Sequence, residues 1–200
     1  MEKKIITISR EFGSGGRTIG RKVAEELGIP FYDKELVDQI ALESGFAPQF
    51  VEEHGEHAPS KSIFAYAFAP QGTPGVMNGM STADFLWHIQ CSTILQLAEA
   101  GPCVIVGRNA DYILKDRADA LHAYIHADME QRADRIVRLY GESEKSPQAR
   151  LQEKDKRRAL NYQHYTGRTW GSAENYDICL NTGRIGIDAA VDLIVSLVKE

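Results

Sequence analysis

The chain has 200 residues, of which 43% are hydrophobic and 26% charged, and its formal net charge is −5. This length and composition are typical of one globular domain with a substantial core. The acidic balance argues against broad nucleic-acid binding, and the apolar runs are too short for a membrane span or a signal peptide. The three cysteines, Cys91, Cys103 and Cys179, lack metal-ligand spacing, so we expect reduced core thiols in a cytoplasmic protein.

The first predicted elements are a strand, a glycine-rich turn and a helix. A β-branched run over residues 5–9 favours a strand, and an amphipathic pattern over 18–27 predicts a helix. A short second strand over 30–33 ends in Asp33, and a further helix over 34–44 follows it.

The middle of the chain contains one long irregular stretch. Residues 48–56 favour a helix, but prolines and glycines accumulate from 57 to 80, which is typical of a functional loop or a disordered segment. A long helix is predicted over 81–100. The continuous apolar run over 103–106 is typical of a strand buried on both faces, and one helical turn over 110–114 follows.

The last third repeats the alternation of strands and helices. Strands are predicted over 121–125 and 178–180, and helices over 129–140, 147–162 and 187–198. The whole alternation predicts an α/β fold with a parallel sheet.

The glycine-rich turn is the first candidate site. It follows a strand, opens a helix and is similar to the phosphate-loop pattern G-x-x-x-x-G-K-[ST], although Glu11 stands at the first glycine and Arg17 at the lysine. This layout presents backbone N–H groups and a helix N-terminus to a phosphate, and it also occurs as a simple tight connection. The residues expected to hold the phosphates of ATP are Gly13, Ser14, Gly15, Gly16, Arg17 and Thr18.

Two further polar groups follow predicted strands. Because the carboxyl ends of parallel strands meet at one edge, we expect Asp33 and Arg108 to lie close to the glycine turn. Thr18 would offer its hydroxyl to Mg²⁺, and Arg17 would neutralise the β- and γ-phosphates with its guanidinium fork. Asp33 would hold the metal or the acceptor, with a helix N-cap as its alternative role, and Arg108 would bind the acceptor's phosphate.

Two predicted helices carry a second set of basic residues. They are Arg132, Arg135, Arg138, Arg150, Lys154, Arg157 and Arg158. We interpret most of them as solvated helix faces that pair with neighbouring acids. A lid closing over ATP would, however, place Arg157 or Arg158 on the transferring phosphate.

Four segments in this order resemble the cytidylate kinase-like branch of the nucleoside monophosphate kinases, in the P-loop kinase superfamily. They are residues 8–20 (ISREFGSGGRTIG), 30–36 (PFYDKEL), 101–110 (GPCVIVGRNA) and 176–184 (YDICLNTGR). The resemblance implies a three-layer α/β/α domain over 1–200 with a five-stranded parallel sheet. It also implies an acceptor-binding arm at about 46–80, a lid at about 141–170, and Arg184 beside the adenine of ATP.

The chain departs from the family pattern at three places. Arg17 replaces a lysine, and Val106 and Asn109 replace the two acids of an Asp-Gly-Arg-Asp motif around Arg108. Asp33 lacks the Ser/Thr-Gly that follows it in cytidylate kinases. Asp33, and after it Glu11, are therefore the acids expected to serve Mg²⁺.

We expect an ATP- and Mg²⁺-dependent phosphotransferase that moves the γ-phosphate of ATP to a nucleoside monophosphate, with CMP or dCMP first. Its expected catalytic residues are Arg17, Asp33, Arg157 and Arg158, and its acceptor residues are Asp33 and Arg108. One alternative is a kinase of another small metabolite, with Asp33 as the base for a hydroxyl acceptor. Another is a regulatory module that binds nucleotide without catalysis. No nucleic-acid or membrane partner is expected, and the oligomeric state stays open.

Overall fold

A computed structural model describes residues 4–54 and 80–199. The strands of this part, numbered β1 to β5 in chain order, are Ile5–Arg10, Phe31–Tyr32, Cys103–Val106, Ala120–His126 and Ile178–Asn181. Its helices, numbered α1 to α9, are Gly16–Leu27, Lys34–Ser44, Pro48–His54, Thr82–Ala100, Ala110–Ile113, Met129–Tyr140, Pro147–Thr166, Thr182–Ile185 and Ile187–Lys199. None of these described helices is long and apolar enough to cross a membrane.

The five strands form one parallel sheet in the order β2-β3-β1-β4-β5. Strand β1 lies at the centre, between β3 and β4. Since all the strands run the same way, the loop after β1, the residue after β2 and the turn after β3 meet at one edge. The predicted α/β fold with a five-stranded parallel sheet is confirmed.

Alternate residues of the sheet face two helical layers. Ile6 and Ile8 of β1 pack in the core under α1 and α9, whereas Ile5 and Ile105 pack under α2 and α4. All four side chains are buried. This is the three-layer α/β/α arrangement that the resemblance implies, and it leaves the carboxyl edge of the sheet for polar groups.

Three sequence-based details differ from the structure. The helix predicted to start at residue 18 begins at Gly16, directly after Gly15 with its left-handed φ of 92°. The helix predicted over 147–162 continues to Thr166, whose hydroxyl donates to the carbonyl oxygen of Tyr162, and it ends at Gly167 with its left-handed φ of 71°. The expectation of core thiols is wrong for Cys179, which is exposed because β5 is an edge strand.

The predicted loop over 57–80 and most of the predicted arm at about 46–80 lie outside the described residues. Helix α3 is the described helix of that arm, and its Val51 is buried in the core beside α2 and α4. Helix α3 therefore packs with α2 and α4 in the helical layer on one face of the sheet.

Candidate functional site

A cavity of about 500 Å³ opens at the carboxyl edge of the sheet. Its basic lining residues among the described part of the chain are Arg10, Arg17, Lys34, Arg108, Arg135, Lys154, Arg157 and Arg158. The acidic lining residues of the same part are Glu11, Asp33 and Glu52. This excess of positive charge suits a ligand with several phosphates, because clustered cations in a cleft raise the local concentration of anions.

The phosphate loop connects β1 to α1 and lies along this cavity. Gly13 and Gly15 have φ angles of 81° and 92°, in the left-handed region that glycine enters without a Cβ penalty. A Cβ on Gly16 would lie 2.5 Å from the Cβ of Arg10, so only glycine lets the helix begin this close to β1. The loop therefore turns the N-terminus of α1 toward the cavity, where the backbone N–H groups and the helix dipole favour an anion.

Helix α8 supports the loop through a hydrogen bond to its backbone. The Thr182 hydroxyl donates to the carbonyl oxygen of Ser14 at 2.7 Å, and the Ser14 hydroxyl donates to the carbonyl oxygen of Glu11 at 2.9 Å. Ser14 is buried and is not among the cavity-lining residues. Arg184, also on α8, is exposed and likewise lies outside the set that lines the cavity.

A cluster of charged side chains around the buried Arg132 supports the loop. The Glu11 carboxylate accepts the N–H of Ala127 at 3.1 Å and lies 3.4 Å from Nε of Arg132, and burial raises the pKa of Glu11. Arg132 Nη1 also donates to Asp155 at 2.5 Å and to the carbonyl of Phe12 at 3.2 Å. Asp155 in turn accepts the N–H of Phe12 at 2.7 Å. Arg132 is therefore an exception to the solvated helix faces expected for most of this basic set, because it is buried and supports the loop.

Arg17 and Asp33 form an ion pair across the cavity. Arg17 Nε lies 2.5 Å from Asp33 Oδ2, with the Arg17 side chain 41% exposed and the Asp33 side chain 15% exposed. Asp33 occupies the N-cap position of α2, but its side chain makes no capping hydrogen bond. The carboxylate therefore faces the phosphate loop, and the alternative role as a helix cap is wrong.

Arg135 of α6 lies at the site, although sequence reasoning listed it only with the other basic residues of two helices. Its Nη2 donates to Oγ1 of Thr18 at 3.2 Å, and its guanidinium lies beside Gly15. Burial lowers the pKa of Arg135, and the positive charge of nearby Arg138 lowers it further. The available signal was its three-residue spacing from Arg132, which puts both arginines on the face of α6 that meets the loop.

Arg108 enters the cavity from a buried turn after β3. The turn is left-handed at three consecutive residues, with φ angles of 74° at Gly107, 58° at Arg108 and 55° at Asn109. Arg108 is 7% exposed, and its Nη1 donates to the carbonyl oxygen of Val51 in α3 at 3.2 Å. The predicted acceptor arginine thus lines the same cavity as the phosphate loop, as its place after a parallel strand predicts.

Helix α7 brings two further arginines to the cavity. Arg157 is exposed and pairs with Glu153 one turn earlier at 2.5 Å. Arg158 is more buried and donates to the carbonyl oxygen of Arg10 in β1 at 3.1 Å. Both arginines expected from the lid lie at the site, although they hold different partners there.

The acids at the site fit a magnesium ion that is bound together with phosphates. Among the described residues, no group of three or more His, Cys, Asp or Glu side chains could hold a metal by itself. Magnesium bound to a nucleotide needs only one or two protein oxygens, because phosphates and water supply the rest. The Thr18 hydroxyl and the Asp33 carboxylate, which line one cavity, are suitable ligands of that kind.

Comparisons with known proteins agree on one family. Residues 5–184 match the model of the cytidylate kinase-like family. A cytidylate kinase from Pyrobaculum aerophilum is 27% identical over 191 residues, which cover 94% of this chain and 88% of that protein. A cytidylate kinase from Ignicoccus hospitalis is 25% identical over 191 residues, covering 95% of this chain and 96% of that protein.

Solved structures show the same architecture. An uncharacterized protein from Eubacterium ventriosum has a TM-score of 0.73 and 28% identity, with 99% of each chain covered. A shikimate kinase from Acinetobacter baumannii in complex with shikimate has a TM-score of 0.55 at 16% identity, covering 98% of this chain and 93% of that one. At 16% identity the second comparison shows the shared fold alone.

Proposed function

The chain belongs to the cytidylate kinase-like family, which makes it a phosphotransferase of the nucleoside monophosphate kinase type, and we propose that it transfers the γ-phosphate of ATP to CMP or dCMP. One observation carries this proposal. Cations from three separate elements line one cavity beside the phosphate loop: Arg17 on α1, Arg108 after β3, and Arg157 with Arg158 on α7. A donor phosphate and an acceptor phosphate would meet between them.

Phosphoryl transfer depends on positioning and charge neutralisation more than on covalent chemistry by the protein. In this proposal the loop N–H groups hold the donor phosphates and Arg108 holds the acceptor phosphate. Arg17 and the two arginines of α7 neutralise the charge on the transferring group. An acceptor phosphate is already ionised at neutral pH, so the reaction requires no general base.

Thr18 and Asp33 would hold the Mg²⁺ of the nucleotide complex. When bound, the ion would neutralise part of the negative charge of the nucleotide phosphates. In the structure each of these two side chains has an arginine partner, Arg135 for Thr18 and Arg17 for Asp33. We expect nucleotide binding to break both contacts and to turn both guanidinium groups toward phosphate oxygens.

The experiment that tests this proposal measures ADP formation by the purified protein with ATP and Mg²⁺. The acceptor panel contains CMP, dCMP, the other nucleoside monophosphates, nucleosides, and small hydroxyl compounds such as shikimate. Arg17→Ala is the inactive variant. Arg138→Ala is the matched control, because Arg138 is exposed on α6 and is not among the cavity-lining residues.

We expect ADP formation that depends on CMP or dCMP, disappears in Arg17→Ala and persists in Arg138→Ala. Turnover with a hydroxyl acceptor alone would instead identify a metabolite kinase, with Asp33 as its base. If no acceptor supports turnover while ATP still raises the melting temperature, the protein is a nucleotide-binding module and the proposed reaction is wrong.

A further inference from the structure

The turn that carries Arg108 has an unfavourable backbone conformation. Left-handed φ angles are easy for glycine and tolerated by asparagine, which suits Gly107 and Asn109. Arg108 has φ 58°, a region that L-residues with a long side chain rarely adopt. A conformation of this kind persists only where the surrounding structure holds it.

Helix α4 holds the turn at its backbone. The side-chain amide of Gln90 donates through Nε2 to the carbonyl oxygen of Arg108 at 2.9 Å. Gln90 is 3% exposed, and its neighbours on the same face of α4, Leu86 and Ile94, belong to the apolar core. A buried polar side chain is stable on such a face only when it is hydrogen-bonded, so this amide is bound to the turn rather than to solvent.

Helix α7 holds the turn at the next residue. Asn109 donates through Nδ2 to Oδ1 of Asn161 at 2.9 Å, and Asn161 is 4% exposed. The neighbouring residue on α7, Tyr162, donates its hydroxyl to Asp111 at 2.7 Å, two residues after Asn109. Arg108 and the residue after it are therefore held to α4 and α7 by buried amide groups.

We propose that Gln90 and Asn161 are positioning residues that keep Arg108 in its left-handed conformation and so aim its guanidinium into the cavity. Neither side chain is a catalytic residue in this proposal, since Gln90 acts through the backbone carbonyl of Arg108 and Asn161 acts through the side chain of Asn109. The inference rests on the proposed function, in which Arg108 holds the acceptor phosphate. It predicts that losing either amide weakens binding of the acceptor and leaves binding of ATP unchanged.

The test compares two variants that remove the hydrogen bonds, Gln90→Met and Asn161→Ala, with Asn161→Asp, which keeps the acceptor oxygen for Asn109. Tyr165→Phe is the matched control, because Tyr165 also ties α7 to α4, through a hydrogen bond to the carbonyl of Ala83 at 3.2 Å. For each protein, KM for CMP, KM for ATP, kcat and melting temperature are measured. Calorimetric titration with CMP alone gives a readout that needs no turnover.

We expect Gln90→Met and Asn161→Ala to raise KM and Kd for CMP by about 5- to 10-fold, the effect of one lost hydrogen bond. KM for ATP should change less than about 2-fold. Asn161→Asp should recover most of the affinity for CMP, and Tyr165→Phe should leave it unchanged. If one removal variant does not fold, the other still decides the question.

Two contrary results are distinguishable. If the wild type turns over CMP but the folded removal variants keep its KM and lose only kcat or melting temperature, the two amides are merely structural and this inference is wrong. If the wild type neither binds nor turns over CMP or another nucleoside monophosphate, the proposed function fails, and the role assigned to Gln90 and Asn161 fails with it.

Discussion

Nε of Arg17 lies 2.5 Å from Oδ2 of Asp33, so the cation and the acid expected to bind nucleotide bind each other. The pair joins the first turn of α1 to the residue that precedes α2. The pair balances the charge of a guanidinium and a carboxylate inside the cavity. In the proposed reaction Arg17, which replaces the usual lysine, would exchange this carboxylate for phosphate oxygens when nucleotide binds.

Replacement of Arg17 tests the phosphate loop. We expect Arg17→Ala to lower kcat/KM by about 100- to 1000-fold, the usual effect of removing one donor to a developing charge. Arg17→Lys should lose less than about 10-fold, because lysine keeps the charge and loses the guanidinium fork. Steady-state kinetics with ATP and CMP measure both values. An Arg17→Ala enzyme within 3-fold of the wild type would contradict the role given to this residue.

The two arginines of α7 should differ in what they affect. Arg157→Ala should lower kcat about 100-fold without a measurable change in melting temperature, because Arg157 is exposed and bonded only to Glu153 among the described residues. Arg158→Ala should lower both kcat and the melting temperature, since Arg158 also binds α7 to the backbone of β1. Glu153→Ala is the control: it removes the partner of Arg157 and should keep activity. Equal behaviour of the two arginine variants would contradict this distinction.

Asp111 should make the stability of the protein depend on pH. Burial raises the pKa of this carboxyl to about 6, above its ordinary 3.8, although Tyr162 and then Arg168 oppose the shift. The folded state therefore binds the proton more tightly than the unfolded chain, so this group destabilises the fold as pH rises from about 4 to 6. The contribution is about 2 to 3 kcal/mol at pH 7.

Asp111→Asn should remove that contribution and keep an oxygen for the Tyr162 hydroxyl. We expect its unfolding free energy to exceed that of the wild type at pH 7.5 and to approach or fall below it at pH 4.5. Urea unfolding at both pH values measures the difference in unfolding free energy between the two proteins. The contributions of the other titrating groups are common to both proteins and cancel in this difference. A difference that does not change with pH would show that Asp111 titrates normally.

Asp155→Ala should destabilise the fold strongly. It leaves the buried Arg132 without its closest carboxylate and the N–H of Phe12 without its acceptor, which should cost about 3 kcal/mol. The double variant with Arg132→Met should recover part of this loss, because the unpaired charge is then gone. Asp188→Ala, which breaks an exposed pair with Lys22, should cost less than 1 kcal/mol. If the losses of unfolding free energy in the two single variants simply add in the double variant, Asp155 and Arg132 are not coupled and the prediction is wrong.

The fold was predictable because its signals are local. The β-branched run before Gly13 and the apolar run after Gly101 each predict a strand from a few consecutive residues. The alternation of strands and helices then implies a parallel sheet. The rule that parallel strands end at one edge then placed Asp33 and Arg108 near the phosphate loop, where the structure has them. The helix end at Thr166 was missed, since residues 163–166 are exposed or half-buried and show no apolar period.

The sequence by itself determined the α/β fold, the glycine loop and the strand ends that carry Asp33 and Arg108. Only the tertiary structure decided which side chains meet there. Gln90 lies 18 residues from Arg108, Asn161 lies 52 residues from Asn109, and Arg135 lies 117 residues from Thr18. Periodicity reports which face of a helix is buried, but a hydrogen bond depends on where that face docks, and docking is set by packing between distant elements.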